Sequence, residues 1–261
     1  MVIGFIFGGG SLPTLLLEEQ PHSICAILGD LPTNIHLAKK HQNFAITQVP
    51  QIIDFFKQND VTHICLAGFV RKPKISMQIF NIRLAPLLFR LIFLSNKGDN
   101  SLLTQIISYI ENKGFKVLAA TEIIPSLLVK AGILTNSRPS ANHHKEISLA
   151  CNFLHDISKY DVSQACIVQN NNITALEGIE GTKNMISRMA IFNKNAILVK
   201  MPKAGQTLKA DMPTIGIETI EDCVKTNISG IAIKAEQTIV LNINEVIKTA
   251  NENGIFIISI A

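Results

Sequence analysis

Short apolar runs alternate with amphipathic stretches through the first half of the chain. VIGFIF at 2–7, SICAIL at 23–28, THICLAGF at 62–69 and FKVLAA at 115–120 have the length and composition of buried strands. Between them, VPQIIDFFKQND at 49–60 puts Ile52, Ile53 and Phe56 at helical spacing, and GDNSLLTQIISYIENKG at 98–114 repeats apolar residues at 102, 103, 106, 107 and 110. Gly114 is a natural stop for that helix. Strands alternating with helices through short connections predict a mainly parallel sheet with helices packed on it. The expectation is a Rossmann-like α/β domain over 1–130.

The pattern breaks between Thr121 and about Lys145, where TNSRPSANHH is polar, contains Pro139 and has no period. A linker is placed at 131–145. A second α/β domain, with a mixed sheet, follows over 146–261 and is expected to be the catalytic one. Its pattern begins with a helix near 144–158. A hairpin follows, ACIVQ and ITALEG joined by Asn170, Asn171 and Asn172, residues that suit a turn with positive φ. Then come a helix at 182–192, a strand at 196–201 and a helix at 218–227. Strands at 230–235 and 238–241, a helix at 243–252 and the strand GIFIISI complete the chain. No internal repeat or low-complexity tract interrupts it.

Composition narrows the class. Of 261 residues, 47% are hydrophobic and 17% charged, enough to build cores and too apolar for disorder. Lys+Arg number 24 against 20 Asp+Glu. That mild excess suits a polyanionic small ligand or an anionic membrane surface and is too small and scattered for nucleic acid. Five cysteines without a CxxC pattern read as reduced, mostly buried thiols of a cytosolic protein. No run of eighteen apolar residues predicts a membrane span, and the short apolar N-terminus reads as a first strand. The segment 75–94 is apolar apart from Arg83 and Arg90 and follows Arg71, Lys72 and Lys74. It reads either as a core or dimer helix or as a surface that meets lipid headgroups.

Four loops carry candidate chemistry. GGGSLP at 8–13 follows a strand and lets backbone N–H groups approach a phosphate, but Pro13 breaks G-x-G-x-x-G. A tight strand-to-helix turn explains it equally well. Asp99 in KGDNSLL is either a helix N-cap or an acid beside a Mg²⁺-dependent phosphate site. ALEGIEGT at 175–182 sets Glu177 and Glu180 among glycines and ends in Thr182, which would otherwise be an N-cap. The stretch LVKMPKAGQTLKADMPTIG at 198–216 leaves a strand end, where α/β proteins bind ligands, and crowds Lys200, Lys203 and Lys209 about Asp211. Thr214 and Gly216 add donors ahead of the next helix. The histidines, His143, His144 and His155 among them, lack metal-site spacing and read as structural.

The ordered set GGGSLP, LAGFVRKP, KGDNSLL, DVSQACIV, ALEGIEGT, VKMPKAGQ and DMPTIG resembles one family nearly end to end. It is the LpxI-type UDP-2,3-diacylglucosamine pyrophosphatases of lipid A biosynthesis, unrelated to the calcineurin-like phosphoesterases. The resemblance implies Mg²⁺-assisted hydrolysis of UDP-2,3-diacylglucosamine to UMP and 2,3-diacylglucosamine 1-phosphate, with water sent to the sugar-side phosphorus. It places the family's essential aspartate on Asp211, with Lys200 and Lys203 as catalytic partners. It implies substrate contacts from Gly9, Gly10, Ser11, Leu12, Gln164, Thr182, Gln206, Lys209 and Thr214, and metal ligands from Asp99, Glu177, Glu180 and Asp211. It further implies a homodimer in the cytoplasm, peripherally attached to the inner membrane. The chain departs from the family pattern at Lys183 and Asn100, where acids are usual, at Lys209, where arginine is usual, and at Ser163, where glycine is usual. Two other readings stand beside this one: a nucleotide-sugar oxidoreductase or transferase using the glycine loop, and a catalytically weakened lipid- or nucleotide-sugar-binding protein on the same scaffold.

Overall fold

The computed structural model describes residues 1–70, 99–203 and 207–261, with backbone alone over 99–102. The segment 75–94, its flanking cations and Gln206 lie outside the described residues. The chain forms two compact units, Met1–Ile124 with Thr207–Asp211, and Pro125–Gln206 with Met212–Ala261.

In the first unit, β1 (Ile3–Phe7), β2 (Ile24–Ile27), β3 (Lys40–Asn43), β4 (His63–Ala67) and β5 (Lys116–Leu118) form a five-stranded sheet of order β3-β2-β1-β4-β5. Every pairing is parallel. The helices are α1 (Leu12–Glu19), α2 (Val49–Lys57), α3 (Asp99–Asn112) and the single turn α4 (Ala120–Ile123). β1 and β2 are buried along their whole length, as central parallel strands covered on both faces must be. Ile52, Ile53 and Phe56 of α2 join Ile24, Ile64, Ile110 and Val117 in one core. β3 was not legible. Its sequence KHQN is exposed at every position, and the strand exists because it pairs with β2 from Ile24↔Lys40 to Ile27↔Asn43. Strand order reverses between β1 and β4, the position where α/β sheets open a ligand crevice.

In the second unit, β6 (Gly132–Ile133) and α5 (Ala141–Ile157) lead to the hairpin of β7 (Ala165–Gln169) and β8 (Asn172–Leu176). Asn170 and Asn171 both take positive φ in its turn. Then follow α6 (Gly181–Arg188), β9 (Ala196–Lys200), β10 (Thr214–Ile215), α7 (Ile217–Lys225), β11 (Ile228–Lys234), β12 (Ile239–Val240), α8 (Ile243–Glu252) and β13 (Phe256–Ile260). The six-stranded sheet runs β6-β13-β11-β9-β7-β8; β9, β11 and β13 are parallel neighbours, while β6 and β7 pair antiparallel with theirs. β10 and β12 make a separate parallel pair. Alternate residues of β9 serve opposite faces. Leu198 packs with Ile231, Ile220 and Val246 on one side, while Ile197 and Val199 pack with Ile147 and Leu154 of α5 on the other.

Residues 131–145, polar in sequence, hold β6 and the start of α5. Side-chain-to-backbone bonds tie the stretch to the rest of the unit: Thr135 Oγ1 accepts from Ile257 N at 2.8 Å, and Asn136 N donates to Asn251 Oδ1 at 2.7 Å. Ser140 and His143 then exchange hydrogen bonds as a capping box for α5. All five cysteines are free, and all but Cys151 are fully buried.

Candidate active site

Lys200 is the last residue of β9, a central strand flanked by parallel β11 and antiparallel β7. Its four predecessors are buried, so the side chain is delivered at the carboxyl end of the sheet, where it emerges half-buried. Nζ donates to Thr182 Oγ1 and to the carbonyl of Thr214, both at 3.0 Å. Thr182 in turn donates to Glu177 Oε1 at 2.5 Å. Ammonium, hydroxyl and carboxylate therefore form one hydrogen-bonded series drawn from two motifs, VKMPKAGQ and ALEGIEGT.

α6 starts at Gly181, one residue earlier than its sequence suggests, so Thr182 stands in the first turn and not at the N-cap. This frees its hydroxyl for Glu177. Glu180, the N-cap residue, uses no side-chain cap bond and faces Arg188 at 3.1 Å. Hydrogen bonds from its own and nearby backbone N–H groups, with the Arg188 charge, hold the Glu180 carboxyl below the usual range. Arg188 also donates to the Leu176 carbonyl at 2.7 Å, which fastens the loop across its ends.

Past Lys200 the ladder continues for one residue, Met201 N donating to Gln164 O at 2.8 Å. Among the described residues, the buried Gln164 side-chain oxygen finds no hydrogen-bond partner. Lys203, two residues further on, donates to Asp161 Oδ1 at 2.7 Å and to the Asp161 carbonyl at 3.2 Å. Asp161 and Arg188 are the two site-lining residues that sequence reading missed. Asp161 opens the DVSQ motif, and that was the available signal.

In the first unit, the glycine loop follows β1 at the switch point, but much of its backbone is engaged. Gly8 N donates to Ala67 O, Gly9 N to Phe69 O and Phe69 N to Gly9 O, at 2.8, 2.8 and 3.0 Å. The loops after β1 and β4 are thus zipped together where a dinucleotide would lie. A Cβ at Gly8 would stand 2.3 Å from Phe69 O, and one at Gly68, which has φ +87°, 2.5 Å from Gly9 O. Gly10 and Ser11 are exposed beyond the zipper, and Leu12 opens α1. Lys209 donates to Glu111 Oε1 at 2.8 Å, and Ala210 packs on the first unit's core. Asp211 N closes a turn on Thr207 O at 3.2 Å. Asp99 is the first residue of α3.

Of the four expected metal ligands, Asp99 and Asp211 belong to the first unit and Glu177 and Glu180 to the second. Among the described residues, no three of His, Cys, Asp and Glu converge to cage a cation. Mg²⁺ commonly needs only one or two protein carboxylates when phosphate oxygens supply the rest. Glu177 fits that more modest demand.

Residues 2–127 match the family model described as the LpxI N-terminal domain, and 130–258 match the LpxI C-terminal domain. The chain is 26% identical over 276 residues to the UDP-2,3-diacylglucosamine pyrophosphatase LpxI of Caulobacter vibrioides, covering 99% of this chain and 97% of that one.

Proposed function

The chain belongs to the LpxI family, and on that premise we propose that it hydrolyses the pyrophosphate of UDP-2,3-diacylglucosamine. Water adds to the sugar-side phosphorus, the bond from that phosphorus to the bridging oxygen breaks, and UMP leaves with the bridging oxygen. The other product is 2,3-diacylglucosamine 1-phosphate, and the protons of the water pass to carboxylate and solvent. The observation that carries this reading is the Lys200–Thr182–Glu177 series at the carboxyl end of β9. A pyrophosphate repels a nucleophile by its charge, and a fixed ammonium offsets that charge as it shifts toward the leaving group. Lys200 donates to Thr182 Oγ1 and the Thr214 carbonyl among others, and cannot swing away without breaking these bonds. Asp211 serves as the carboxylate that orients the water, a role for which a positioned acid is worth roughly 10²–10⁴-fold.

Mg²⁺, held by Glu177 together with pyrophosphate oxygens, would supply further neutralisation of the phosphates. Peripheral contact with the inner membrane belongs to the same proposal, because the substrate carries two acyl chains. Among the described residues no helix is long and apolar enough to cross a membrane. The glycine-loop cofactor reading is disfavoured by the Gly9–Phe69 zipper. The deciding experiment is release of UMP from UDP-2,3-diacylglucosamine, with Mg²⁺ and with EDTA. No release alongside retained binding of the nucleotide-sugar lipid would replace hydrolysis with the binding-protein reading.

A further inference from the structure

Asp161 stands in a left-handed conformation, φ 55° and ψ 31°, at the end of a turn that no apolar pattern announces. Such a conformation is uncommon outside glycine, though Asp tolerates it better than most residues. The turn around it is held from several sides. Ser158 Oγ donates to His155 O at 2.6 Å, and Asp161 N donates to Ser158 O at 3.0 Å. Ser163 is 3% exposed, donates to Ala165 O at 2.8 Å and accepts from Ala165 N at 3.2 Å. The left-handed backbone turns the Asp161 carbonyl to the same side as its carboxylate, and both oxygens accept from the single ammonium of Lys203.

Burial sets this pair apart. Its side chains are 15% and 27% exposed, while Lys209–Glu111 is 45% and 40% exposed and the pairs within α7 and α8 are more open still. Exposed pairs hold their partners loosely, because two flexible side chains must be ordered for little Coulombic gain. A partly buried lysine that donates to two oxygens of one turn is held more closely than an exposed one. Lys203 also lies just past the β9 ladder, after Met201 is pinned to Gln164 O and Pro202 has fixed φ.

We propose that Asp161 is a positioning residue for hydrolysis: it holds the Lys203 ammonium where the substrate's pyrophosphate will meet it. The inference rests on the pyrophosphatase reading for its rate effects and on the structure alone for the grip. Asp161 touches no reacting atom; it acts through Lys203. A misplacement of a positioned group by about 1 Å can cost on the order of 10²-fold in rate.

Two measurements test it. The first needs no turnover: competitive acylation of lysines by an amine-reactive ester, read by mass spectrometry. Asp161→Asn and Asp161→Gly both tolerate the left-handed backbone, and Asp161→Gly keeps the carbonyl while deleting the carboxylate. Labelling of Lys203 should rise several-fold in both variants while exposed Lys248 is unchanged. Equal labelling of Lys203 in wild type and Asp161→Gly overturns the proposal, even if the protein proves to hydrolyse nothing. The second is a double-mutant cycle on UMP release. Asp161→Asn should lower kcat by roughly 10–10²-fold in wild type and have almost no effect in Lys203→Ala. An equal loss in both backgrounds means that Asp161 acts on stability or by another route, and overturns the proposal while leaving the activity standing. A Lys203→Ala variant with wild-type turnover overturns it too.

Discussion

The hydroxyl of Thr182 lies 2.5 Å from Glu177 Oε1. Its direction is settled by its other neighbour. The Lys200 ammonium has only donors, so Thr182 must accept from it and spend its own proton on Glu177. Removing the hydroxyl breaks both bonds at once. Thr182→Val keeps the shape, and UMP release is expected to fall by roughly 10²-fold, mostly in kcat. Thr182→Ser should recover most of the loss. Equal rates for wild type and Thr182→Val would make the series a structural brace.

Asp211 separates its two readings by size of effect. As a loop acid it contributes at most about 1 kcal/mol to stability through ion pairing. As the carboxylate that serves the water it is worth at least about 100-fold in rate. Asp211→Asn is expected to lose that much UMP release with little change in Tm, and to retain bound lipid substrate through purification. Turnover within a few-fold of wild type would move the chemistry to Glu177.

The sequence carried the architecture because central strands are announced by unbroken apolar runs. VIGFIF, ICAI and AILVK could be little else. β3 and β6 escaped for the opposite reason: KHQN has no apolar face, and two residues of β6 cannot show a period. Both are edge strands, held in place by pairing with β2 and β13. The candidate site was legible as motifs but not as contacts. ALEGIEGT, VKMPKAGQ and DMPTIG stood out as glycine-bounded or charged loops, yet only the fold joins Thr182 to Lys200 across 18 residues and Lys203 to Asp161 across 42. Glu180 looked equivalent to Glu177 in sequence, and its proximity to Arg188 distinguishes the two.

Lys183 is exposed in the first turn of α6, where the helix presents unpaired N–H groups and a lysine is electrostatically misplaced. Lys183→Asp should therefore raise stability slightly, by about 0.3–1 kcal/mol at low ionic strength. With Mg²⁺ present, UMP release is expected to be kept or raised. A collapse of turnover in a folded variant would show that the lysine itself binds substrate.

Burial pushes the thiols up, Cys25 to about 11 and Cys65 and Cys166 to about 12. The folded state binds these protons more tightly than the unfolded chain. Their contribution is intact below the ordinary thiol value near 9 and is lost as pH rises toward 11–12. Each thiol adds about 1.4 kcal/mol per pH unit to the alkaline decline in that window. Tm followed from pH 7 to 11 should fall less steeply above pH 9 in Cys25→Ala than in wild type. Parallel curves would mean that Cys25 ionises freely in the folded protein.

The zipper between the loops after β1 and β4 has a genetic consequence. A Cβ at Gly8 would meet peptide groups alone, and one at Gly68 would meet the Gly9 carbonyl first, with the Pro13 ring further off at 3.1 Å. An overpacked core can be relieved by shrinking a neighbour, because a second side chain can give way. A carbonyl cannot be shortened. A suppressor screen begun from Gly68→Ala should therefore return reversion to glycine and few compensating changes elsewhere in the chain.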